Sequence, residues 1–165
     1  MLIDHRPEPA HLRSRVGDWE GDLITGPASR SAIGTVVCRR SRYVKLIHLP
    51  GRRTADELID AITTAMADIP AAARLTLTWD QGSGMAGHDR VAELFGEGVY
   101  FAHAGNPWQR GTNENTNGLL RQHFPQGTEP APLHHRGSAS RRGRLNHRPR
   151  KTLHGTHRRR SWPPS

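Results

Sequence analysis

A chain of 165 residues with 34% apolar content suits one ordinary domain and its core, and is short for two. Its formal charge of +9 is unevenly spread: residues 1–128 carry 14 basic and 14 acidic residues, whereas residues 129–165 carry 10 basic residues against Glu129 alone, so the basicity describes the tail and not the body. The single cysteine, Cys38, excludes an internal disulfide and a cysteine-based zinc cluster, while the lack of a long apolar run and the charges at Asp4, His5 and Arg6 argue against a membrane span or signal peptide; the expectation is a cytoplasmic protein with no membrane attachment.

Residues 18–25 read as a strand. The period of two puts Asp18, Glu20 and Asp22 on one face and Trp19 and Leu23 on the other. Segments 31–38 and 42–49, rich in Val, Ile and Tyr, flank Arg39-Arg40-Ser41 as a strand–turn–strand, so the opening of the sheet is antiparallel. Thr54 and Glu57 form a capping box ahead of Leu58, Ile59, Ile62, Met66 and Ile69, an amphipathic helix that stops by Pro70. Segment 74–79 alternates Leu75 and Leu77 with Thr76 and Thr78 and delivers Asp80 at its carboxyl end. Val91, Leu94 and Phe95 support a short second helix and 99–102 a fifth strand. A third helix starts near Thr112, with Glu114 in its first turn and Leu119 and Leu120 behind it.

Strands that open antiparallel and then alternate with helices imply an α/β fold: a mixed five-stranded sheet flanked by helices. Ligands in such sheets gather at the carboxyl ends of strands, where Asp80 lies. The periodic pattern fails from Glu129 onward. The expected organisation is a linker over residues 1–15, a core over 16–128 and a basic, poorly ordered tail over 129–165.

The densest chemistry lies at 107–121, where Glu114 sits among Arg110, Asn113, Asn115, Asn117 and Arg121 at a helix start. Backbone N–H groups and the helix dipole favour anions there, and arginines and amides donate to phosphate oxygens. Carboxylates brought together can hold two magnesium ions for phosphoryl transfer, and Asp22, Asp80 and Glu114 are the candidates. The plainer alternatives are solvated surface carboxylates, helix capping by Asn113 and Asn115, and a simple turn at Gln81-Gly82-Ser83-Gly84. His88, His103 and His123 read as polar surface or substrate contacts rather than metal ligands.

The chain resembles the catalytic half of DDE transposases of the insertion-sequence-thirty family, within the integrase and ribonuclease H-like superfamily. The likeness rests on Val16-Gly17-Asp18-Trp19-Glu20-Gly21-Asp22-Leu23, on Leu77-Thr78-Trp79-Asp80-Gln81-Gly82, on Tyr100-Phe101-Ala102, on the run from Pro107 to Arg121 with Phe124-Pro125, and on the island from Leu145 to Leu153. It implies a ribonuclease H-like fold and a two-metal site of Mg2+ (or Mn2+) held by Asp22, Asp80 and Glu114. Asp18 and Glu20 would stand behind the ligands. It further implies cleavage and strand transfer on DNA, both transposon ends and target, with a homo-oligomer as the transposition complex. Phosphate contacts would come from Arg110, Asn113, Asn115, Asn117 and Arg121, and from Arg148, Arg150 and Lys151 in the tail.

Three departures from the family pattern stand out. No helix-turn-helix pattern precedes residue 16, Gly84 stands where the family often has glutamate, and residues 129–144 and 154–165 lack its acidic, helical pattern. An island of family sequence between two Arg/Pro/His-rich stretches is what reading-frame shifts generate; a genuine basic arm on phosphates is the other reading. The expected function is therefore a truncated transposase core, with a non-catalytic DNA-binding or inert remnant as the alternative.

Overall fold

The computed structural model describes residues 1–25, 31–50, 54–80, 87–106, 109, 111–121 and 146. Its strands are β1 (Asp18–Thr25), β2 (Ser31–Cys38), β3 (Val44–Pro50), β4 (Thr76–Trp79) and β5 (Val99–Phe101), and its helices α1 (Glu8–His11), α2 (Ala55–Met66), α3 (His88–Ala92) and α4 (Gly111–Arg121). The strands form one sheet in the order β3-β2-β1-β4-β5. The first three pair antiparallel, and β4 and β5 are added in parallel to β1. This is the expected mixed five-stranded sheet with flanking helices. No helix among the described residues is long and apolar enough to cross a membrane.

Two strands start later than the sequence pattern suggests, each for a local reason. Arg42 adopts a positive φ of 60° in the turn closed by Arg42 N–H on the Cys38 carbonyl, so β3 begins only at Val44. Leu75 and Thr76 both donate their N–H to the Gly17 carbonyl just ahead of β1, and β4 begins at Thr76.

One face of the sheet is apolar. Trp19, Leu77 and Trp79 are buried against Leu58, Ile59, Ile62 and Met66 of α2, with Val91 and Phe95 closing the layer. Each such side chain contributes roughly 1.5–3 kcal/mol relative to exposure. The capping box fixes the start of α2: Glu57 N–H donates to Thr54 Oγ1 at 3.2 Å and Thr54 N–H to Glu57 Oε2 at 3.1 Å.

The opposite face is polar yet buried. Asp18 and Glu20 are fully buried. Asp18 accepts two bonds from Arg15, at 2.9 and 3.1 Å, and one from Thr76 Oγ1 at 2.8 Å. Glu20 forms an ion pair with Arg39, whose Nε donates to the Ala10 carbonyl at 2.9 Å. Arg6 donates to Thr78 Oγ1 at 2.9 Å. Loss of water, the largest influence, pushes the Arg39 guanidinium down to about 9 and that of Arg6 to about 10. A cation whose pKa falls on folding costs stability throughout neutral pH by itself, so the facing carboxylates are what make its burial tolerable.

These contacts tie residues 1–15, expected as a linker, onto the core. Ile3 and Ala10 are buried, and Leu2 bridges to Phe101 beside β5. From the tail, Asn146 is 4% exposed and uses both ends of its amide on β3: Oδ1 accepts from Val44 N–H at 2.9 Å and Nδ2 donates to the Val44 carbonyl at 3.1 Å.

Candidate metal centre

The parallel register of β1 and β4 sets Asp18 opposite Thr76 and Glu20 opposite Thr78. The ladder ends at Glu20 and Thr78, and two residues further along each strand direction stand Asp22, within β1, and Asp80, immediately after β4. Both are half-buried, and both follow the parity of the polar face. Gly21 and Trp79, on the other parity, belong to the apolar face, where Trp79 is part of the core. A Cβ on Gly21 would stand 1.8 Å from Cζ3 of Trp79, so the indole occupies the space that any larger side chain there would need.

α4 packs on β1 and β2, on the face away from α2. Its Asn117 is 6% exposed and lies between two strands. Asn117 Nδ2 donates to Asp22 Oδ2 at 2.8 Å, and Thr35 Oγ1 donates to Asn117 Oδ1 at 3.1 Å. Thr35 is the antiparallel partner of Asp22 across the β1–β2 ladder. The other oxygen, Asp22 Oδ1, accepts from Leu23 N–H at 2.9 Å. Glu114 lies one helical turn before Asn117 on α4, at a spacing that shares a helix face.

Asn117, expected as a phosphate contact, is thus turned inward onto a carboxylate. Asn115 is exposed. Asn113, Glu114 and Arg121 belong to α4, but their side chains, together with Arg110, Arg148, Arg150, Lys151, His123 and the segment Gln81 to Gly84, lie outside the described residues. His103 Nε2 lies 2.6 Å from Asp4 Oδ2, and His88 stacks edge-on against Phe101 at 5.0 Å between centroids. Asp18 and Glu20 lie behind Asp22 in the same row, held by Arg15 and Arg39.

Among the described residues no three of His, Cys, Asp and Glu gather closely enough to hold an ion. Asp22 in β1 and Asp80 just after β4 fit a hard divalent cation in donor chemistry, both offering carboxylate oxygens only. The available sequence signal for Asn117 was its distance of three residues from Glu114. Its amide-rich surroundings pointed toward phosphate instead.

No family model matches the chain. Among curated proteins it is 44% identical over 153 residues to the transposase of insertion sequence element IS1086 from Cupriavidus metallidurans, covering 93% of this chain and 45% of that protein. It is 42% identical over 152 residues to the transposase InsI of element IS30A from Escherichia coli, covering 88% of this chain and 39% of that protein. The chain therefore spans less than half the length of these relatives. Its fold is that of the catalytic core domain of BIV integrase, with a TM-score of 0.63 at 16% identity over 90% of this chain and 94% of that one. A chain in the simian T-cell lymphotropic virus intasome complex aligns with a TM-score of 0.65 at 21% identity, over 91% of this chain and 59% of that one. The sheet order and flanking helices are those of the ribonuclease H-like fold.

Proposed function

The chain is homologous to insertion-sequence-thirty family transposases along 88–93% of its length, and we propose that it forms the catalytic core of one, cleaving and joining DNA by metal-dependent phosphoryl transfer. The observation that carries this reading is that Asp22 and Asp80 each lie two residues beyond the Glu20–Thr78 pair of the parallel β1–β4 ladder, with the Glu114-bearing helix joined to Asp22 through Asn117. Asp22, Asp80 and Glu114 are the proposed ligands of Mg2+ or Mn2+. Such ions activate an attacking oxygen and stabilise the leaving oxygen of an in-line displacement.

The chain's own part is positioning. Strand β1, the end of β4 and helix α4 carry the three proposed ligands, and the buried pair Asp18 and Glu20 braces β1 behind Asp22. The proposed phosphate contacts are Arg110, Asn113, Asn115 and Arg121 near the site and Arg148, Arg150 and Lys151 in the tail. Asn115 is exposed, as such a contact requires. DNA is the proposed partner, with further copies of the chain in the working complex, and the cytoplasm the proposed location. The proposed units are a core over residues 16–128, joined by segment 1–15, and a basic arm over 129–165.

The test uses the full chain with supercoiled plasmid and a labelled oligonucleotide, in Mg2+ or Mn2+. Nicking or joining should need the metal and fall to background in Asp22→Asn, Asp80→Asn and Glu114→Gln. Unchanged activity in Glu114→Gln sinks its assignment. Salt-dependent DNA retention, with no metal-dependent cleavage in any variant or the parent, supports the non-catalytic reading instead; deleting residues 129–165 then removes most of the salt slope.

A further inference from the structure

We infer that Asn117 is a positioning residue for the metal site, holding the Asp22 carboxylate in one orientation and fixing the Glu114-bearing helix to it. The inference rests on the metal-site reading above and goes beyond it by giving a role to a residue outside the three ligands. A carboxylate only accepts hydrogen bonds, so the amide must present its NH2 group to Asp22, which leaves its carbonyl for the Thr35 hydroxyl. Both of those contacts are formed, at 2.8 and 3.1 Å. The amide is therefore held at both ends and cannot flip without losing one bond or the other.

Asp22 is held at both oxygens in turn, Oδ1 by Leu23 N–H at 2.9 Å and Oδ2 by Asn117. A carboxylate already fixed in rotation need not be ordered when the ion arrives, and partners of this kind typically change metal affinity or activity about 10–100-fold. The same bond crosses from α4 to β1, setting the helix that carries Glu114 against the strand that carries Asp22.

The experiment is an Mn2+ titration of the full chain without DNA, following free Mn2+ by electron paramagnetic resonance. Asn117→Leu keeps the bulk of the side chain and removes its donor; it should weaken Mn2+ binding about 10–100-fold. Thr35→Val, close in shape, removes the hydroxyl's bond to Asn117 together with its longer contact to the Asp22 carbonyl at 3.4 Å; it should weaken Mn2+ binding about threefold to tenfold, and this variant decides the matter if Asn117→Leu does not fold. Thr116→Val is the control, since Thr116 Oγ1 bonds within α4 to the Thr112 carbonyl at 3.0 Å; it should leave Mn2+ affinity unchanged. Parent-like affinity in both Asn117→Leu and Thr35→Val overturns the inference, as does an equal loss in Thr116→Val. Asp22→Asn separates the two levels: if it binds Mn2+ like the parent, the metal-site reading itself fails, whereas abolished binding there with parent-like Asn117→Leu removes only the positioning role.

Discussion

The two faces of β1 are held by opposite physics. Trp19 and its neighbours Leu77 and Trp79 meet α2 in an apolar layer, where stability comes from area removed from water and from fit. Asp18 and Glu20, on the other parity of the same strand, are equally buried but are held by Arg15, Thr76 and Arg39. The row continues to Asp22, which is half-buried and held by a neutral amide and a backbone N–H. Along this row burial lessens from Asp18 and Glu20 to Asp22, and a neutral amide is among the donors to Asp22.

The largest effect should come from breaking the polar layer on one side only. Glu20→Gln leaves the buried Arg39 guanidinium without its counter-charge and should lower unfolding free energy by about 3–5 kcal/mol in urea denaturation. Replacing both partners, Glu20→Met with Arg39→Met, should recover most of that loss, because two desolvated charges are removed together. A double variant as unstable as the single would mean that the pair contributes more than it costs, and that this layer is stabilised by charge rather than tolerant of it.

The apolar layer should respond differently. Ile62 is fully buried in the α2 interface, and Ile62→Ala should cost about 2–5 kcal/mol through lost transfer energy and a residual cavity. Mn2+ affinity, measured below the unfolding transition, should remain that of the parent. A matching loss of Mn2+ affinity would show that the apolar layer also sets the carboxylate geometry.

That contrast also explains what the sequence made legible. Alternation along residues 18–25 assigned Asp18, Glu20 and Asp22 to one face, and the capping box placed the start of α2, because both signals are local. The cationic partners were not legible. Arg6, Arg15 and Arg39 reach the polar row from a segment without periodicity and from the β2–β3 turn, and nothing short-range in residues 1–15 reports that Ile3 and Ala10 are buried. Asn117 was hidden for a related reason: in a run of amides, only the tertiary contact with β1 selects the one that turns inward. Asn146 was hidden in an Arg- and Pro-rich tail, although it satisfies both backbone groups of Val44 at the edge of the sheet.

Gly21 is where the two layers touch, and it offers the smallest stability effect with the most specific consequence. A methyl group there would stand 1.8 Å from the Trp79 ring, and Trp79 is buried, 1% exposed. Gly21→Ala should therefore cost about 1–3 kcal/mol, the usual range for overpacking. The strain must be relieved by shifting Trp79 or parting β1 from β4. Either movement displaces Asp80, which follows Trp79, relative to Asp22, which follows Gly21. Unlike Ile62→Ala, this substitution should weaken Mn2+ binding in the folded protein. Trp79→Leu introduced beside it should return the space and restore part of the Mn2+ affinity even while the apolar layer loses area, a non-additive coupling expected of residues in contact. If Gly21→Ala destabilises the chain and binds Mn2+ like the parent, the strand pair absorbs the strain locally, and the two faces of β1 are independent up to the carboxylates themselves.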